Sequence, residues 1–296
     1  MTAARLHGCG TALVTPFADD GAIDEDGLRR LVEWQITEGV HFLVPCGSTG
    51  EAATMTVAEH RRAVEIVVAQ AAGRVPVVAG AGSNDTRKAI ALSHEMEAAG
   101  ATHLLHVSPM YNKPPQRGIV AHFEAIARAT ALPIVLYNVP GRTGGNVEAS
   151  TTLALARVPN IVAVKEASGN LGQVTDILRA RPPEFSVLSG DDELTLPIMA
   201  AGGDGIISVI SNATPRLMVR LCEEAAAGDF GAARDAHMRL LPWMRAAFVE
   251  PNPIPVKAAL AMMGRMRNVL RLPLVPLDHR HGPAVRAALE QAGVTF

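Results

Sequence analysis

Ile161-Val162-Ala163-Val164-Lys165, followed by Glu166-Ala167-Ser168-Gly169 and a helical pattern over 170–179, decides how this chain is read. The run is short and apolar up to its last residue. That suits a strand buried on both faces of a parallel sheet. The residues after it are small and polar, as a turn into a helix requires. Working outward, the same unit recurs. Strand-like runs stand at 10–14, 41–45, 75–79, 103–107, 133–137, 161–165, 185–189 and 205–209. Helical patterns lie between them at 24–38, 56–72, 84–99, 116–130, 147–157, 170–179, 192–201 and 215–227. Thr56 with Glu59 three residues on forms a capping box at the start of the second helix.

Strand–helix units repeating every 25 to 35 residues or so predict an α/β fold, a (β/α)8 barrel, whose usual size is about 250 residues. An open doubly wound sheet is the alternative from pattern alone. Further helices at 229–248, 253–263 and 283–292 read as a C-terminal extension. The expected division is a catalytic barrel over 1–228 and a helical region over 229–296.

The 296 residues are 48% hydrophobic, enough for a large core, and the formal net charge of -2 offers no basic surface for nucleic acid. No stretch approaches the roughly 20 apolar residues that span a bilayer. The N-terminus lacks the apolar core of a signal peptide, so a soluble cytoplasmic protein is expected. Cys9, Cys46 and Cys222 form no CxxC pair and suggest reduced thiols. The histidines make no HxxxH-type ligand cluster. His279 and His281 sit in a tail loop, and 141–145 lacks the ending of a phosphate-binding P-loop. Gly190-Asp191-Asp192 reads as a helix cap more than a metal pair.

Barrel enzymes keep their chemistry at the C-terminal ends of the strands. Lys165 ends strand 6 there. Burial disfavours an ammonium and so supplies the neutral amine that imine formation needs. A lysine merely paired with Glu166 is the competing reading. The other lysines are Lys88 on a polar helix face, Lys113 in a Pro-rich loop, and Lys257 at the start of a C-terminal helix, away from the barrel strands. The two tyrosines of the chain, Tyr111 and Tyr137, both fall at strand ends on the same rim, where a phenol can give and take a proton. Gly47-Ser48-Thr49-Gly50 offers backbone N–H groups and two hydroxyls to a carboxylate. Arg142, in a glycine-rich loop, can grip a carboxylate with two hydrogen bonds.

Together these segments, from Thr11-Ala12-Leu13-Val14-Thr15-Pro16-Phe17 to Asn252-Pro253-Ile254-Pro255-Val256-Lys257, resemble the dihydrodipicolinate synthase/N-acetylneuraminate lyase family of class I aldolases. The resemblance runs nearly end to end. It implies that pyruvate forms a Schiff base with Lys165 and that Tyr137 shuttles protons. Ser48, Tyr137 and Tyr111 would form a relay, with Tyr111 donated across a subunit interface. Thr49 and the backbone of Ile207 would hold pyruvate. Arg142, in the pattern Tyr137-Asn138-Val139-Pro140-Gly141-Arg142-Thr143-Gly144, would bind the carboxylate of L-aspartate 4-semialdehyde. That arginine and the 252–257 segment favour the synthase branch, which serves the diaminopimelate route to lysine. No external cofactor or metal is implied, and the assembly would be a homotetramer.

There are departures from the family pattern. Ser48 stands where threonine is common. Val57, Lys88 and Met110 stand where some relatives bind the inhibitor lysine, while His60 and Asn84 match. Weak or absent lysine inhibition is expected, since cationic Lys88 repels an amine. Two further readings stay open. One is another pyruvate-dependent aldolase, for a keto-deoxy sugar acid or hydroxy-oxoglutarate, or a metal-dependent one. The other is a non-catalytic barrel that binds a keto acid.

Overall fold

A computed structural model describes residues 5–296. Eight strands follow in order: β1 (Gly8–Ala12), β2 (Phe42–Val44), β3 (Val78–Gly80), β4 (His103–Val107), β5 (Ile134–Asn138), β6 (Ile161–Glu166), β7 (Ser186–Ser189) and β8 (Gly205–Ser208). The helices are α1 (Glu25–Thr37), α2 (Val57–Ala71), α3 (Thr86–Ala98), α4 (Gln116–Ala129), α5 (Pro140–Thr143), α6 (Ala149–Leu155), α7 (Leu171–Ala180), α8 (Thr195–Ala200), α9 (Pro215–Ala226), α10 (Phe230–Ala246), α11 (Ile254–Met262) and α12 (Gly282–Gln291).

All strand pairs are parallel, in the order β2-β1-β8-β7-β6-β5-β4-β3. β1 therefore lies between β2 and β8. A parallel bridge between Leu43 and Val77 joins the two ends of that order, with Leu43 N–H donating to Pro76 at 3.0 Å. The sheet is a closed barrel, and the open-sheet alternative is excluded. The side-chain alternation of a strand then splits the core in two. One apolar cluster fills the barrel: Ala12, Phe42, Val44, Val78, Leu105, Val135, Ala163, Leu188 and Ile207. A larger one fills the layer between strands and helices. Gly10 makes room for the Phe42 ring, since an added Cβ would stand 2.0 Å from it.

Helix starts follow their caps. Thr56 and Glu59 form the expected capping box on α2, with the Thr56 hydroxyl accepting from Glu59 N–H at 3.2 Å. The apolar run at 75–79 pairs as a regular strand only from Val78, because Pro76 has no N–H to give a ladder. The loop after β5 holds the extra helical turn α5, with Pro140 at its first position. At the C-terminal end, α10 packs along α9, and α12 rests on α10 and α11. Trp243 is fully buried between them and the barrel. Among the described residues no helix is long and apolar enough to cross a membrane.

Candidate active site

A cavity of about 1320 Å³ opens at the C-terminal ends of the strands. Ser48, Thr49, Tyr137, Arg142 and Lys165 all line it. Residues from the ends of β5 and β6 and from the loops after β2 and β5 thus converge on one space, as the barrel geometry dictates.

Lys165 reaches this space because successive strand residues face opposite ways. Its neighbour Glu166 points out of the barrel. There its carboxylate accepts from Asn138 Nδ2 at 3.1 Å, Gln173 Nε2 at 3.0 Å and Ser168 N–H at 2.7 Å. Glu166 is thus fully engaged elsewhere, and the pairing of Lys165 with it fails. Among the described residues Lys165 makes no ion pair. It is 5% exposed, and burial lowers its pKa to about 8. The Asp192 carboxylate opposes that shift and the Arg142 cation adds to it. A substantial neutral fraction at slightly alkaline pH follows. Gly190, just past β7, leaves the side chain its path: an added Cβ would sit 3.0 Å from Lys165 Cε and Cγ.

Tyr137 and Lys165 are register partners on β5 and β6. The Lys165 Nζ lies 4.3 Å from the centre of the Tyr137 ring. Burial pushes the phenol up to about 12, partly offset by Arg142, so it is a neutral proton donor at ordinary pH. Cys46 also lines the cavity, but burial pushes its thiol to about 12, which leaves it inert as a nucleophile.

The Gly47–Gly50 turn is held from several sides. Gly50 N–H donates to Gly47 at 3.1 Å, and Glu51 N–H donates to Ser48 at 3.2 Å. Thr15 Oγ1 donates to the Gly50 carbonyl at 2.8 Å. Asn252 Nδ2 donates to Thr49 Oγ1 at 2.9 Å. Because the Thr49 oxygen accepts there, its own proton is left to give to a ligand. Arg142, exposed at the mouth, donates from Nη2 to the Asn252 carbonyl at 3.4 Å. Asn252 therefore touches both groups that could grip a carboxylate. Its approach to the rim comes from chain more than 100 residues away in sequence from Arg142, so no local motif marks it.

Two expected residues stand apart from this chain's cavity wall. Tyr111 is 88% exposed, and its backbone is left-handed at φ 71, a costly conformation for a bulky residue. Ile207 has its side chain fully buried inside the barrel, leaving only its backbone for a ligand. Asp191 accepts from Glu193 N–H at 3.0 Å, the cap expected of Gly190-Asp191-Asp192. Asp192 does something else. Fully buried, it accepts from Ser208 Oγ at 2.5 Å and Val209 N–H at 3.1 Å, which fixes the end of β8. Burial raises its carboxyl to about 6.

Lys257 corrects the sequence reading. It does not lie away from the strands: its Nζ donates to Thr15, just past β1, at 2.9 Å, and to Glu51 at 2.6 Å. The helix carrying it packs over the end of the barrel where the site opens, which helical periodicity alone does not reveal.

Fold and cavity together define a barrel enzyme whose site is built on strand ends around a desolvated amine. The chain belongs to the dihydrodipicolinate synthetase family, whose model matches residues 5–292. It is 51% identical over 290 residues to the 4-hydroxy-tetrahydrodipicolinate synthase of Maridesulfovibrio salexigens, covering 98% of this chain and 99% of that one. The crystal structure of dihydrodipicolinate synthase from Thermotoga maritima superposes with a TM-score of 0.96 at 42% identity, covering 98% of this chain and 99% of that one. A monomeric dihydrodipicolinate synthase variant superposes equally well, with a TM-score of 0.96 at 42% identity over 98% of both chains.

Proposed function

We propose that this enzyme condenses pyruvate with L-aspartate 4-semialdehyde to 4-hydroxy-tetrahydrodipicolinate, through an imine on Lys165, in the diaminopimelate route to lysine. The observation that carries the reading is the Lys165 amine, buried and without an ion pair among the described residues, beside the Tyr137 phenol. The name of its 51% identical relative supports the choice of product.

In this reading the neutral Lys165 amine adds to the pyruvate carbonyl, and loss of water gives the imine. Tyr137 supplies the proton that the departing hydroxyl needs. Loss of a methyl proton gives the enamine, and its terminal carbon attacks the aldehyde. The amino group of the semialdehyde then adds to the imine carbon, closes the ring and releases Lys165. Thr49 and the backbone at Ile207 hold the keto-acid carboxylate, while Arg142 holds that of the semialdehyde. Ser48 links Tyr137 to Tyr111 in a proton relay. No external cofactor enters any step.

Tyr111 acts in a neighbouring copy's site. Its exposed ring and left-handed backbone support that role, because strain at an exposed position is better explained by a contact outside the chain. The expected assembly is a homotetramer, to be measured by sedimentation velocity. A monomer with full activity would remove Tyr111 from the mechanism.

Borohydride reduction with pyruvate, followed by peptide mass spectrometry, tests the imine. A reduced pyruvyl adduct on Lys165 is expected, and its absence rejects the mechanism. Turnover with a panel of aldehydes separates the semialdehyde from sugar-acid or hydroxy-oxoglutarate substrates.

A further inference from the structure

The turn that carries Ser48 and Thr49 is bracketed by two residues in left-handed backbone, Cys46 and Glu51, each at φ 56. A non-glycine residue holds that conformation only where its surroundings fix it. At Glu51 the surroundings are a buried ion pair. Glu51 Oε1 accepts from Lys257 Nζ at 2.6 Å, and both side chains are fully buried. The same Nζ donates to the Thr15 carbonyl, and Thr15 in turn holds Gly50. The other Glu51 oxygen accepts from Arg271 N–H at 3.0 Å. The Phe17 ring lies between the two cations, 4.3 Å from Lys257 Nζ and 4.4 Å from the Arg271 guanidinium carbon.

Stability alone does not account for such a pair. Two charges lose their water on burial, and an apolar pair of equal volume often does as well or better. What the pair supplies is direction. A charge-assisted hydrogen bond fixes one geometry, where apolar contacts would tolerate several. The bond runs from α11, more than 200 residues on, to the residue that closes the Gly47–Gly50 turn. Five positions before Lys257, Asn252 is bonded to Thr49 within the same turn.

We propose that Glu51 and Lys257 are positioning residues for the keto-acid carboxylate: through their buried pair, the C-terminal segment sets the turn bearing Ser48 and Thr49 against Lys165. This rests on the reading that Lys165 forms an imine with pyruvate. The hydrogen bonds of Lys257 Nζ are to Thr15 and Glu51 and not to Arg142, so the direct effect of the pair falls on the keto-acid carboxylate.

Three proteins test the proposal: wild type, Lys257→Met, and Lys257→Met with Glu51→Gln. The single variant leaves a buried carboxylate without its cation and is expected to melt well below wild type. The double variant removes both charges and recovers most of the melting temperature. Its KM for pyruvate is expected to stay raised about tenfold or more, with the aldehyde KM within about twofold of wild type at saturating pyruvate. A purely structural role would move stability and both constants together, or neither. A double variant with wild-type melting and wild-type pyruvate KM overturns the proposal. If the double variant does not fold, the isosteric Glu51→Gln carries the test: a pyruvate KM raised about threefold or more supports the proposal, and an unchanged one overturns it. Borohydride trapping runs alongside. Failure to label Lys165 in wild type sinks the imine reading itself, whereas labelling in wild type with unaltered kinetics in the variants sinks only the positioning role.

Discussion

Tyr137 and Lys165 are register partners on adjacent parallel strands, with the ammonium nitrogen 4.3 Å from the phenol ring centre. The barrel thus sets an amine beside a phenol without help from a loop. Replacing Tyr137 by Phe keeps the ring and its packing but removes the proton. We expect kcat to fall by about 10²- to 10⁴-fold, the usual span for losing a general acid, with little change in melting temperature. Borohydride trapping of Lys165 should slow but persist. Full activity in the variant would assign the proton transfers elsewhere.

The pH dependence follows from the Lys165 amine, whose pKa is lowered to about 8. Its neutral fraction rises about fivefold between pH 7 and pH 8, and the rate of imine formation should follow. Asp192 raises that pKa, so Asp192→Asn should move the inflection to lower pH. Stability has its own sign. The folded pKa lies below the ordinary 10.5, so the unfolded chain binds the extra proton between about 8 and 10.5. Lys165 therefore contributes stability that increases as pH rises through that window. Stopped-flow imine formation across pH 6 to 9 checks the first claim, and a flat profile would contradict it.

Arg142 stands at the cavity mouth and donates a hydrogen bond to the Asn252 carbonyl. A charged hydrogen bond contributes about 1.5–3 kcal/mol, so Arg142→Ala should lower kcat/KM for the semialdehyde about 10- to 150-fold. The yield of the pyruvate adduct should be preserved. An equal loss for both substrates would show that the arginine does not discriminate between them.

Inhibition by lysine is expected to be weak. His60 Nε2 is bonded to the Gly80 carbonyl at 2.8 Å, and Asn84 Nδ2 donates to the Met110 carbonyl at 3.1 Å. Val57 is 58% exposed and Lys88 is exposed, so neither offers an anion to a ligand amine. Turnover measured against millimolar lysine should hardly change. Potent inhibition would require a different site.

Much of the fold is legible in the sequence. Apolar runs marked the strands because both faces of a barrel strand are buried. The rim residues could be placed because a strand's end is where apolar character stops. Lys165 was separable from Glu166 only by structure, since adjacent letters do not say which faces inward. Asn252 and Lys257 were not legible as site residues from pattern. They matter through the packing of α11 on the strand ends, and helical periodicity carries no record of which distant turn a helix meets. Ile207 and Tyr111 needed structure for the opposite reason: one turns its side chain into the core and the other away from its own cavity.

The scarcity of lysine has a practical consequence. Of the four side-chain amines, Lys88 and Lys113 are exposed, while Lys165 and Lys257 are buried. An acylating reagent should therefore meet the two surface side chains first, together with the α-amino group, then Lys165 as far as the cavity admits the reagent, and Lys257 only when the fold opens. Mass gained per molecule becomes a graded clock for surface, reaction centre and unfolding, read from a single untagged protein.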